Sequence, residues 1–230
     1  MLVFLTLTSG TGVAIYRIME QEQKIQKKAG YHHGDLRAQL VEATRQLVEE
    51  KGPDLFSVSE ACRVAGVSTA APYRHFKDKD EMLTAVALEG LLRKFQIMSE
   101  KVAGHPRQSM DRILALGHAY LTFAQAEPGV FRLIFGAAQD ECRHEKLIDE
   151  APRHYSFVQG VVADVLGREE IDEDVKRRAM ILWTFVHGLS FILINDKAAV
   201  ADVEMDLDAF LREIAQRVIG DLPALAHPLA

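Results

Sequence analysis

The sequence predicts an all-α protein. Only 15 Gly and 7 Pro punctuate 230 residues. Apolar residues recur with a period near 3.6 over long stretches, and strict alternation is scarce. Cap-forming residues stand where those stretches begin. With 48% hydrophobic and 26% charged residues the composition is that of a globular chain, neither disordered nor fibrous. Cys62 and Cys142, 80 residues apart, form no disulfide framework and match no zinc-ligand spacing, which points to a reducing compartment.

From Asp35 to Lys51, Leu36, Leu40, Ala43, Leu47 and Val48 lie on one helical face, and Gly52-Pro53 ends the helix. Ser57-Val58-Ser59-Glu60 is a capping box that opens a short helix with Val58, Ala61, Cys62 and Ala65 inward. Gly66 breaks it by supplying positive φ. A second short helix is predicted from Thr69 to Phe76, with Thr69 as N-cap and Pro72 tolerated in its first turn, where a missing N–H costs little. Val67 and Tyr73 are expected to plug the angle between the two. Asp78 caps a long helix reaching Val102.

Downstream, Ile113, Leu116, Tyr120 and Phe123 set the period of a helix predicted from Pro106 to Ala126, ended by Glu127-Pro128-Gly129. A short apolar piece follows from Val130 to Phe135. Three more helices are predicted at Cys142–Leu166, Asp172–Asn195 and Met205–Leu222. Residues 223–230 form a tail. The apolar segment 1–16 has no basic flank and is interrupted by Gly10 and Gly12, so it reads as neither signal nor anchor. Residues 1–29 are expected to be a tail, with 1–18 a mis-assigned start. The run Ala179–Ile194 is too short for a membrane span and reads as a buried core helix, so no membrane association is expected.

Charge is unevenly divided. The chain carries −6 overall, yet residues 19–80 hold ten basic and ten acidic side chains, and the deficit lies beyond them. Arg63, Arg74, Lys77 and Lys79 outnumber Asp78 within 63–79. A locally basic patch on an acidic protein fits a confined nucleic-acid contact, or simply a solvated helix face. The spacing from Val58 to Phe76 is that of a helix-turn-helix, with Thr69, Ala70, Arg74 and His75 outward on a second helix of a size that enters a major groove. The same geometry also serves as an αα-corner in helical proteins of any function.

Gly66-Val67-Ser68, followed by Tyr73-x-x-Phe76-x-x-Lys79 and Leu83, resembles the DNA-binding domain of TetR-type (TetR/AcrR) transcriptional regulators. Tyr31-His32-His33-Gly34-Asp35-Leu36-Arg37 and Trp183-Thr184-Phe185-Val186-His187-Gly188 further resemble the subgroup with a C-terminal Trp-His-Gly signature. The resemblance extends over residues 30–222 and is more specific before Leu92 than after it. It implies a three-helix DNA-binding domain at 30–80 and a helical regulatory and dimerisation domain at 81–222. It places Ser68, Thr69, Ala70 and Arg74 at the major groove, and Tyr73 and His75 on the sugar-phosphate backbone. Lys79, in the first turn of the next helix, would meet a phosphate. His32, His33 and Arg37 would flank the backbone or minor groove. Pro72 departs from the helix-forming apolar residue most of the family has there.

The penultimate helix is apolar nearly all round, so one side can face its own domain and the other a second copy. Phe185, Leu189 and Ile192 from it, with Phe210, Leu211, Ile214 and Val218 from the last helix, are the expected interface of a homodimer. Two helices from each chain would make a four-helix bundle, as the family does. Two copies suit an inverted repeat in double-stranded DNA, with half-sites about 34–36 Å apart. Tyr120, Phe123, Phe131 and Tyr155 either line a cavity for a small-molecule effector or fill a dry core. Trp183 and His187, at i and i+4, are read first as packing residues, with a place beside the cavity as the alternative.

The competing class is an enzyme using Cys142, His144 and Glu145, but i and i+2 positions diverge on a helix. No phosphate loop or hydrolase motif is present. No catalytic residue, metal or cofactor is expected. The reading is therefore a cytoplasmic, homodimeric, ligand-responsive repressor. Activation, or regulation by another protein, fits the same residues.

Overall fold

A computed structural model describes residues 36–136, 141–195 and 206–221 of the chain, without the side chains of residues 141–146, 148, 151 and 221. The expectations for residues 1–29, His32, His33, the tail 223–230 and the side chains of Cys142, His144 and Glu145 lie outside that set. The described residues are helical, with no strand among them. The helices are α1 (Leu36–Lys51), α2 (Val58–Ala65), α3 (Lys79–Ala103), α4 (Asp111–Ala126), α5 (Pro128–Phe135), α6 (Glu141–Val165), α7 (Glu173–Ile194) and α8 (Leu207–Ala215). A π-helical turn over Gln216–Asp221 prolongs α8.

Local chemistry sets the ends of the N-terminal helices. Ser57 accepts the Glu60 N–H at 3.2 Å and starts α2. Gly66 closes it in the left-handed region, φ 69°, where its N–H bonds back to Arg63 and Cys62 carbonyls. Asp78 caps α3 by accepting the Glu81 N–H at 2.9 Å. Leu40, Leu47, Ala61, Cys62, Phe76 and Leu83 form the small core under these elements. The Cys62 thiol is buried there, and burial raises its pKa.

The second helix of the motif departs from expectation. In place of a helix from Thr69 to Phe76, the chain makes a turn closed by the Ala71 N–H on Ser68 O and then a 3₁₀ turn over Pro72–Arg74. The first hydrogen bond is accepted by Ser68, one residue earlier than Thr69. Pro72 then falls where an α-helix would need its N–H on Ser68 O, and it has none to give. Tyr73 does not plug the helix angle. It is 64% exposed, and Pro72 and Phe76 are buried instead.

Beyond Gly104 the core lies among α3, α4, α5, α6 and α7. The helix predicted from Pro106 begins at Asp111. Pro106–Ser109 closes a separate turn, and Ser109 Oγ accepts the Asp111 N–H at 3.1 Å. Phe123, Phe131, Val130 and Val162 are fully buried at the centre. Asp174 anchors the far end: it is buried and takes bonds from Arg168, Arg177 and Arg178 at 2.6–2.9 Å. Burial would raise its pKa, but the bonds from Arg177, Arg178 and Arg168 outweigh that and hold it at about 2. Arg178 also donates to Val218 O, tying α7 to the π-helical turn after α8.

Helix α7 corrects part of the interface expectation. By length and composition alone it is apolar enough to cross a membrane, yet only 28% of that stretch is buried within the chain. Met180, Thr184, Gly188 and Ile192 form an exposed stripe at i, i+4 spacing. Leu189, Leu211 and Val218, expected at a dimer interface, are buried in their own chain and offer a partner nothing. Leu211 packs onto Gly117 of α4, which is why α8 turns that face inward.

Candidate nucleic-acid interface and internal cavity

The turn that replaces the second helix still presents the expected side chains outward. Ser68, Thr69, Ala70, Tyr73, Arg74 and His75 are all exposed. Tyr73, Arg74, His75 and the neighbouring Lys77 make no side-chain hydrogen bond or ion pair among the described residues. Four solvent-exposed polar side chains thus stand on one turn, which is anchored by buried Pro72 and Phe76. From α1, the Arg37 guanidinium lies 5.3 Å from the Phe76 ring centre and 3.6 Å from Glu89.

Lys79 has a different place. Its ammonium donates to Phe56 O at 2.7 Å and lies 4.2 Å from the Phe56 ring centre. It pins the loop between α1 and α2 to the start of α3, whereas Lys77 points its charge to solvent. Arg63 is also partly engaged, with Glu60 at 3.6 Å.

Helices α3 to α8 line a partly open cavity of about 480 Å³, within the range of small-molecule sites. Its wall is mostly aliphatic and aromatic, and takes Tyr120 from α4, Phe135 from α5, Tyr155 from α6 and Trp183 from α7. Ile214 and Phe185, expected at the dimer interface, are half-buried and line it as well. Phe123 and Phe131 do not. They are packed one layer behind, where α4 and α5 meet. His187 also stands in that layer, with Nδ1 2.8 Å from the Tyr120 hydroxyl and Phe131, Phe135, Phe191 and Trp183 around its ring. Burial, followed by the nearby Lys94 charge, lowers its pKa. The packing reading thus fits His187, and the cavity reading fits Trp183.

Two features escaped the sequence reading. Glu49, at the end of α1, reaches across to α5: its carboxylate accepts the N–H groups of Gly129 and Val130, both at 2.8 Å. This is a charged cap on a helix N-terminus, supplied by another domain. Gly129 permits the approach, since a Cβ there would stand 2.6 Å from Val48 O. The other end of α5 carries Phe135 into the cavity wall. The partners are 80 residues apart, so no local signal marks them. The second feature is Lys94, 7% exposed and on the cavity wall. It had a signal: it interrupts the apolar stripe Leu91, Phe95, Met98, Val102.

A family model described as bacterial regulatory proteins, tetR family, matches residues 40–86. A second, the tetracyclin repressor-like C-terminal domain, matches residues 113–218. Among curated proteins, the nucleoid occlusion factor SlmA of Vibrio campbellii is 24% identical over 146 residues, 63% of this chain and 74% of that protein. The HTH-type transcriptional regulator BetI of Rhizobium meliloti is 28% identical over 105 residues, 45% and 52% of the two chains. A protein of unknown function from Rhodococcus sp. RHA1 superposes with TM-score 0.70 at 25% identity, covering 84% of this chain and 98% of that one. The fatty acid degradation regulator FadR of Bacillus halodurans shares the fold at 16% identity, TM-score 0.61, covering 85% and 100%.

Proposed function

Because the chain belongs to the tetR family of bacterial regulatory proteins and is a DNA-binding transcriptional regulator, we propose that it works as a cytoplasmic homodimeric repressor, released from an inverted-repeat operator by a small molecule in the cavity. The observation that carries the ligand-responsive part is the Glu49 carboxylate on the N-terminus of α5. One short helix of eight residues touches the cavity at Phe135 and the DNA-binding domain at Gly129. A ligand that displaces Phe135 moves the far end of that helix, and with it α1. Two states differing in that join have different separations of the recognition turns. A ligand favouring the wrong separation lowers DNA affinity by its differential binding energy.

Arg74 is the residue assigned to base reading, at the groove with Ser68, Thr69 and Ala70, while Tyr73, His75 and Arg37 hold the backbone. Lys77 takes the phosphate role first given to Lys79. Arg74→Ala is expected to relax preference at one operator position by about 1–3 kcal/mol. Lys77→Ala is expected to weaken all duplexes alike and reduce the salt slope by about one. Fluorescence anisotropy on matched and mismatched duplexes over a salt series separates the two.

The dimer is assigned to the exposed stripe of α7, Met180, Thr184, Gly188 and Ile192. Gly188 adds no side chain to that stripe, and nothing of its own chain lies within 4 Å of where a Cβ would stand, so the position is open to a partner helix. Ile192→Arg should convert the dimer to monomer in sedimentation and cost operator affinity at least about a hundredfold, since half the contacts are lost. The repressor reading is tested with a reporter whose promoter carries a selected operator. Lower output when the protein is supplied supports repression, and higher output makes it an activator.

A further inference from the structure

Lys94 is a charge in the wrong place for a dry core. Its ammonium lies 4.9 Å from the Tyr120 ring centre and 4.8 Å from that of Phe135, and no Asp or Glu is among the described residues lining the cavity. It forms no ion pair among the described residues. Ring faces attract a cation but do not neutralise it, and buried charges in proteins are ordinarily paired.

Two further polar groups face the same problem. Both ring nitrogens of His154 and the hydroxyl of Tyr155 are buried without a hydrogen-bond partner among the described residues. All three residues line the one cavity. Burial, then the charges of Lys94 and Arg153, lower the His154 pKa to about 4, so at neutral pH its imidazole is uncharged and donates one N–H. With His154 neutral, Lys94 is the only cation among the described lining residues, and it marks an anion-accepting spot in a cavity whose wall is otherwise mostly aliphatic and aromatic.

We propose that the cavity takes an amphipathic monocarboxylate: a hydrocarbon body against the apolar wall, ended by one carboxylate on Lys94. This rests on the reading of the cavity as the effector site. The carboxylate supplies the counter-charge that the described lining lacks. An alcohol of the same length leaves the ammonium unpaired, and an amine adds a second positive charge beside it.

The test uses the full-length protein and its single Trp, Trp183, which stands in the cavity wall. Its fluorescence is followed during titration with decanoate, 1-decanol, decylamine and acetate. Decanoate should bind at least about tenfold tighter than decanol, as expected for a charge-assisted contact in a buried site. Decylamine should bind more weakly than decanol, and acetate should not saturate. Lys94→Met should bring decanoate to the level of decanol, while Lys94→Arg should keep the preference. Equal binding of decanoate and decanol by the wild-type protein overturns the proposal, as does a Lys94→Met protein that still prefers the acid. Anisotropy on a labelled operator, run in parallel with the wild type, separates this from the effector reading. Selective decanoate binding without any loss of DNA affinity sinks the effector reading and leaves the ligand class standing. Release from DNA by decanol and decanoate alike does the reverse.

Discussion

Replacing Gly129 with alanine should destabilise the protein by about 1–3 kcal/mol and weaken its hold on DNA. The new Cβ would lie 2.6 Å from Val48 O and 3.0 Å from Glu49 Cα. Both are backbone atoms of α1, so no side chain can swing aside to make room. The N-terminus of α5 must move away, and the two 2.8 Å bonds that its N–H groups donate to Glu49 go with it. Their loss leaves two N–H groups and a carboxylate without partners. Glu49→Gln is the milder comparison, because it removes the charge and one acceptor but leaves the packing. Urea unfolding should show a lower midpoint at unchanged slope for both variants, with the larger fall for Gly129→Ala. Operator affinity should fall in the same order, since the DNA-binding domain is then less fixed to the regulatory helices. An unaltered midpoint for Gly129→Ala would mean that the two domains are not joined there.

Lys94→Met should make the protein more stable at neutral pH, by roughly 3 kcal/mol. Burial lowers the Lys94 pKa from 10.5 to about 8. Between those two values the unfolded chain keeps the proton and the folded chain does not, so wild-type stability rises with pH across that window. Below it the ammonium is buried at full cost. The gain from Lys94→Met is therefore complete below about pH 8 and fades as pH approaches 10.5. Methionine has similar length and no charge, and it suits an apolar wall. Thermal or urea melts of both proteins from pH 6 upward measure the difference directly. A variant less stable than wild type at pH 7 would mean that the ammonium already has its counter-charge within the chain.

Much of the fold was legible because its signals are local. Ser57, Gly66 and Asp78 each act through hydrogen bonds within a few residues of themselves, and each sits where the sequence placed it. The turn after Ser68 was misread by one residue, and that shift decided the outcome, since it put the missing Pro72 N–H where a helix needs a donor. What stayed hidden depends on distant partners. Leu211 belongs to the same apolar stripe as Phe210 and Ile214, but only its contact with Gly117 decides that it faces inward. Glu49 looks like any exposed helix carboxylate until α5 is brought to it. Lys94 stood in plain view, a cation inside a stripe of Leu, Phe and Met, and long lysine stems often lie along such stripes with the charge in water. Its burial comes from α4, α5 and α6 closing over it.

The measurement that bears most directly on the whole account is selection of random duplex DNA by the purified full-length protein at moderate salt. The account predicts enrichment of one inverted repeat, its half-sites about one helical turn apart, with Arg74→Ala losing preference at one position in each half. A folded, dimeric preparation that enriches no sequence, or enriches a single half-site without symmetry, would contradict it.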